Sequence, residues 1–258
     1  MKNLIGSELY RMLHSTKTIA LFIITMLIFA ADSMFIQTYH FGFYDPKHSI
    51  ALNALNFSPF ILRDTDYFMF IISCPIMFCD SLNYENTCGA YRLVMMRGYH
   101  KSKYILSKII SCAILFFILT IFMFFLGAAL GFAYESPIKT TTFFSGQHFN
   151  SLQALIYDFK FYLINYLLIL MLLGICSLIS VLSPQVIISY IIVCLIWVML
   201  SPLSNLFLSS FNLDIFDTKT AFDVLDGKNA AFWIIALFMT IGLFALSSSI
   251  FKKKDYLY

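Results

Sequence analysis

Few residues in this chain are of a type and spacing that could do chemistry. The segment YENTCGAYRLVMMRGYHKSKYILSK, residues 84–108, gathers five of the 17 basic side chains. Glu85 and Gly89 open it, and Arg92, Arg97, Lys101, Lys103 and Lys108 follow. A carboxylate followed by guanidinium and ammonium groups can bind a partner surface or lipid headgroups, or simply hold a loop on one side of a membrane. Catalytic signatures are missing: there is no G-x-S-x-G, no H-E-x-x-H and no phosphate-cradling G-x-x-x-x-G-K-[ST]. The five histidines, at 14, 40, 48, 100 and 148, are scattered in loops or near the ends of apolar runs. Cys74, Cys79, Cys88, Cys112, Cys176 and Cys194 lie in apolar runs or in the basic segment. They form no paired ligand set for a metal, and no disulfide is expected of them. No catalytic or metal site is assigned.

The elements that must position the basic segment are apolar helices. Hydrophobic side chains make up 60% of the chain and charged ones 12%, against about 25% charged in soluble domains. A crossing helix needs roughly 20 apolar residues, and six runs are candidates: 18–36, 67–82, 109–133, 161–182, 186–200 and 230–251. The second is short, flanked by Asp64 and Asp66 and interrupted by Pro75 and Asp80. The fourth and fifth are parted by Ser183, Pro184 and Gln185, which reads as a tight hairpin because proline disfavours helix in the residue before it. The first run has a basic lead and the small pair Ala30-Ala31, but its length reads as a retained span rather than a cleaved signal. Asp32 and Asp80 are the ionisable residues placed inside runs, each near a run end and read as a hydrated boundary residue.

Basic residues collect on the cytoplasmic side. With the N-terminus inside, inner segments hold Lys2, Arg11, Lys17, Arg92, Arg97, Lys101, Lys103, Lys108 and Lys252, Lys253 and Lys254; the outer connections hold six. Six spans then put both termini in the cytoplasm. Leu4, Ile5, Leu9, Met12 and Leu13 recur with helical period in residues 1–17, an interfacial amphipathic helix with Lys2, Glu8 and Arg11 largely on its other face. Residues 202–229 are half apolar, and their first part, Leu203 to Leu213, is too short to span, hence an extracellular or re-entrant segment. Their four aspartates read as a solvated face rather than a calcium loop.

The order Glu85, Gly89, Arg92, a basic cluster, Tyr104 and Lys108 resembles the loop between spans two and three of type 2 ABC exporter permeases. The ending FKKKDY and the lead-in SELYRMLHS are similar to theirs as well, and the architectural likeness covers the whole chain. Ala90 stands where many relatives have Thr, and His100-Lys101 where Ser-Arg is commoner. The resemblance implies an all-α polytopic fold of one permease domain: six transmembrane helices, an elbow helix over 1–17 and a cytoplasmic coupling helix within 83–108. It implies that Glu85, Gly89, Arg92, Arg97, Lys101 and Lys103 couple to a cytoplasmic ABC ATPase, which binds ATP and Mg; this chain has no cofactor or nucleotide site of its own. A second permease chain, identical or different, and membrane lipid are the other implied partners, with no nucleic acid. The implied location is the inner or plasma membrane, and the implied cargo an amphipathic peptide or hydrophobic antimicrobial. An ion-coupled secondary carrier is the alternative, and an intramembrane enzyme a third reading. Gly89 is expected to allow a close approach of the backbone.

Overall fold

The computed structural model describes residues 1–45, 48–89, 91, 100–136, 138, 140–143, 148–203, 220–227 and 232–254. Arg92 and Arg97 lie outside the described residues, as does most of residues 202–229. The chain is mostly helical. Helix α1 spans Lys2–Leu13 and α2 Thr16–Tyr39, followed by a hairpin of β1, Phe41–Asp45, and β2, His48–Ala51. Then come α3, Phe57–Phe68, a π-helical turn at Met69–Ser73 and α4, Cys74–Thr87. Helix α5 covers Lys101–Tyr134, and a second hairpin pairs β3, Thr140–Thr142, with β4, His148–Asn150. The chain continues with α6, Ser151–Leu182; α7, Val186–Leu203; α8, Thr220–Leu225; and α9, Phe232–Lys253.

Among the described residues, five helices are long and apolar enough to cross a membrane: Thr16–Tyr39, Phe57–Thr87, Lys101–Tyr134, Ser151–Leu182 and Phe232–Lys253. A further apolar helix, Val186–Trp197, is shorter. Most expected runs lengthen, and the reasons are local. Asn150 and Gln153 form a capping box that starts α6 ten residues before the expected 161. The second run does not break at Pro75, because α3, the π turn and α4 form one continuous 31-residue helix. Proline offers no N–H to the carbonyl four residues back. That carbonyl, of Ile71, lies 3.5 Å from Tyr190 Oη and 3.7 Å from Cys194 Sγ, both donors on α7. The two small hairpins were not expected from the sequence.

Helix α6 is the hub, packing against α3, α4, α5, α7, α8 and α9. Its windings are largely buried, whereas α2 and α9 turn most of their apolar surface outward. Ile23, Leu27 and Phe35 of α2, and Ile234, Phe238 and Ile241 of α9, are all exposed. Apolar residues facing outward in that number fit a lipid-facing rim. Close helix approaches are set by glycines. A Cβ on Gly131 would sit 2.8 Å from the Ala54 carbonyl, and one on Gly174 would sit 2.9 Å from Leu243 Cβ. The expected hairpin between the fourth and fifth runs is present. Asn86 donates to the Pro184 carbonyl (3.2 Å), Asn83 to Ser189 Oγ (3.0 Å), and the Val186 N–H to Thr87 Oγ1 (3.2 Å). The α6–α7 turn is thus tied to the end of α4.

Candidate functional site

Two polar constellations stand out in this apolar bundle. The first forms where α1 lies across α4 and α5. Lys108, on the second turn of α5, has no exposed surface. Its ammonium donates to Glu85 Oε1 (3.0 Å), Glu8 (3.3 Å) and the Ser81 carbonyl (3.2 Å), and it sits 5.0 Å from the centre of the Tyr104 ring. Arg11 donates to Glu8 at 2.6 Å and lies 3.3 Å from Glu85 Oε1. Two acids and two bases make the cluster neutral, the condition under which buried charges are tolerable. Burial works against the Arg11 charge, but Glu8, Glu85 and the hydrogen bond to Glu8 outweigh it and raise its pKa. Ser111 Oγ reaches the Ile5 carbonyl (3.3 Å), fastening α1 further to α5.

This geometry revises how α1 is oriented. Glu8 is buried with Met12, while Leu13 is exposed and Leu4, Ile5 and Leu9 are only half-buried. Placing Glu8 on the outer face was wrong because the carboxylate has an ammonium to meet inside. Glu85 likewise points inward, its Oε1 shared by Lys108 and Arg11. No close approach is seen at Gly89 among the described residues, none of which lies within 4 Å of where its Cβ would be. Its φ of +70° is the reason for glycine, as the residue just past a helix end often takes the left-handed conformation. Lys101 donates to the Lys254 carbonyl (2.8 Å) and Lys254 to the Val181 carbonyl (2.9 Å), while Lys103 is exposed. Tyr91 packs edge-on against Tyr104 and Phe251. Hence α1, the entrance and exit of the basic segment, the end of α6 and the end of α9 all meet at one end of the molecule. Beside them, a cavity of about 380 Å³ is lined by Arg11, His14, Lys17, Asp80 and Tyr84 among others.

The second constellation is deep between α3 and α6. Asp66 is fully buried, and neither of its carboxyl oxygens has a hydrogen-bond partner among the described residues. Asp158 is 2% exposed and its Oδ1 is unpartnered; Asn165 is 1% exposed with both amide atoms unpartnered. Positions 158, 162 and 165 share one face of α6, one turn apart. On that face Tyr162 Oη lies 3.0 Å from Ser58 Oγ of α3, and both Asp66 and Asp158 lie within electrostatic range of it. The two aspartates read as intramembrane are the partnered ones: Asp32 accepts from Thr65 (2.8 Å) and Asp80 from Lys17 (2.9 Å).

Sequence reasoning placed Asp66 and Asp158 outside the spans because it began both helices too late. The signals were there: Asn56 followed by Pro59 in a first turn, and the Asn150–Gln153 box. Among the described residues, no three His, Cys, Asp or Glu side chains converge as metal ligands. No family model and no curated protein matches the chain.

Proposed function

We propose that this chain is the membrane-spanning permease subunit of an ATP-driven exporter, paired with a second permease chain and served by a separate cytoplasmic ATPase. The observation that carries the reading is the convergence at one end of the bundle. There the neutral Lys108 cluster locks α1 to α4 and α5, and Lys101, Lys254 and the Tyr91–Phe251 contact bring in the end of α9. Motion imposed on that end by a partner would pass into α4, α5 and, through the α6–α7 turn, into the hub. Having both chain ends there supports an even number of crossings, with α7 as the sixth and α1 as an interfacial elbow. The excess of basic residues supports placing that end in the cytoplasm. Arg92, Arg97, Lys101 and Lys103 are the residues offered to the ATPase, with Glu85 and Gly89 shaping the exit from α4. The outward-facing apolar rim suits lipid contact, and a hydrophobic or amphipathic peptide is the proposed cargo.

The test is reconstitution. Purified alone in lipid, the chain should hydrolyse no ATP; with its ATPase, hydrolysis should appear and transport should require it. Replacing Arg92, Arg97, Lys101 and Lys103 with alanine should weaken that complex, provided insertion is unchanged. One observation favours a second reading, an ion-coupled carrier: among the described residues, Asp66 and Asp158 are buried acids with carboxyl oxygens that no hydrogen bond meets. Substrate movement by the isolated chain down an imposed ion gradient, at full rate, would select it over the ATP-driven reading.

A further inference from the structure

The Asp66–Asp158 region has properties that structural packing alone does not account for. An isolated carboxylate in apolar surroundings is so costly that the neutral acid is favoured. Lys108, equally buried, is met by two carboxylates. Among the described residues no base bonds to Asp66: Arg63 on α3 is near enough to favour its charge, but its guanidinium is turned to Asp64 at 2.7 Å. From α2 comes Asp32, held by Thr65, and from α4 the thiol Cys74. Helix α5 brings the Met123 carbonyl near Tyr162 (3.5 Å). Its lysines and Cys112 lie in its first half, and Tyr134 packs at its far end against Phe57. Around α6, the ionisable groups on the short elements are Asp223 on α8 and His148 on β4. Those on α4, α7 and α9 are Cys79, Asp80, Tyr84 and Glu85, then Tyr190 and Cys194, then Lys252 and Lys253 at the opposite end, and α6 itself adds Tyr157, the exposed Lys160, Tyr166 and Cys176. Asn165, buried with its amide unpartnered on the face that holds Asp158 and Tyr162, adds a donor and an acceptor.

We propose that Asp66 and Asp158, on the two helices joined by the Tyr162–Ser58 hydroxyl pair, are proton-binding sites in the core of the bundle. Each carboxyl holds a proton while α3 and α6 are packed together, and each can release it to water only when those helices part. A metal cation is the less suitable ligand, because it needs several ionised or carbonyl oxygens at once and Asp66 is joined by no such set. The proposal rests on the multi-pass membrane reading, but not on the energy source, so it survives failure of the ATPase experiment.

Infrared spectroscopy of the purified full-length chain in lipid tests it. Near pH 7, about three units above the ordinary aspartate range, the carbonyl stretch of protonated carboxylic acid should be present. Asp66→Asn and Asp158→Asn should each remove one component, and the double variant should remove both. Absence of the band in the unmodified protein, or its persistence in the double variant, would overturn the proposal. Loss in only one single variant would place the proton on one residue and overturn the two-carboxyl site. Disappearance on adding sodium at constant pH would make this a cation site and also overturn it. Should an asparagine variant fail to fold, the unmodified protein still decides the matter. Dicyclohexylcarbodiimide, which attacks protonated carboxyls in apolar surroundings, should label peptides containing Asp66 and Asp158, and labelling of neither would contradict the site.

Discussion

Glu85 and Asp66 are carboxylates on one continuous helix, both kept largely from water, and they are treated in opposite ways. Glu85 has a fully buried ammonium at 3.0 Å and a guanidinium at 3.3 Å, within a cluster that sums to zero. Asp66, some five turns earlier, has no partner for either oxygen among the described residues. A compensated charge fixes geometry, because every member is needed by another. An uncompensated acid is a standing cost, and a bundle that keeps one has another use for it. The first arrangement suits an anchor, the second a site that changes state.

The largest effect expected on this contrast is from Lys108→Met, which leaves two acids facing one base and should cost about 3–5 kcal/mol of stability. Unfolding in detergent measures it. Adding Glu85→Gln restores neutrality and should recover part of the loss; strictly additive losses would show that the cluster is not a unit. Next comes the seam between α3 and α5. Gly131→Ala would press a methyl on the Ala54 carbonyl at 2.8 Å, and overpacking of this kind costs about 1–3 kcal/mol. Cleaner unfolding of the variant at wild-type stability would mean the helices can part freely there. Gly89→Ala and Gly89→Leu should each cost about 1–2 kcal/mol, alike in size, since the left-handed backbone is the constraint and no described residue lies within 4 Å of a Cβ there. A much larger penalty for leucine would restore the close-approach expectation. The smallest effects belong to Asp66→Asn and Asp158→Asn. These replace neutral acids by neutral amides of like shape, and they should leave the unfolding midpoint near that of the unmodified protein, in contrast to Glu85→Gln. A loss as large as that of Lys108→Met would erase the distinction between the two regions.

The sequence made much of the fold legible and little of its polar interior. Long apolar runs announce themselves because lipid demands them, and the Ser183–Gln185 break could be read from one proline. Helix starts were harder. Hydropathy falls away before the capping residues are reached, so most of α3, with Asp66, and the first ten residues of α6, with Asp158, lie outside the apolar runs. Lys108 could be noticed as part of a pattern, but its burial depends on α1 folding back over α5, a contact 100 residues apart in the chain. The small residues Gly127 and Gly131, four apart on α5, form a G-x-x-x-G spacing that could have predicted the close approach to α3. The hairpins at residues 41–51 and 140–150 have short strands with little alternation to betray them.

The central proposal is that the end of the bundle where α1, the two ends of the basic segment and the end of α9 meet is cytoplasmic, with six crossings. Accessibility in intact cells tests it most directly, using single cysteines at Lys254 and at Thr140, an exposed position on β3. An impermeant thiol reagent should label the Thr140 position and leave the Lys254 position untouched until the membrane is opened. Labelling at Lys254 in intact cells, with protection at Thr140, would invert the molecule and remove the basic end from reach of any cytoplasmic ATPase.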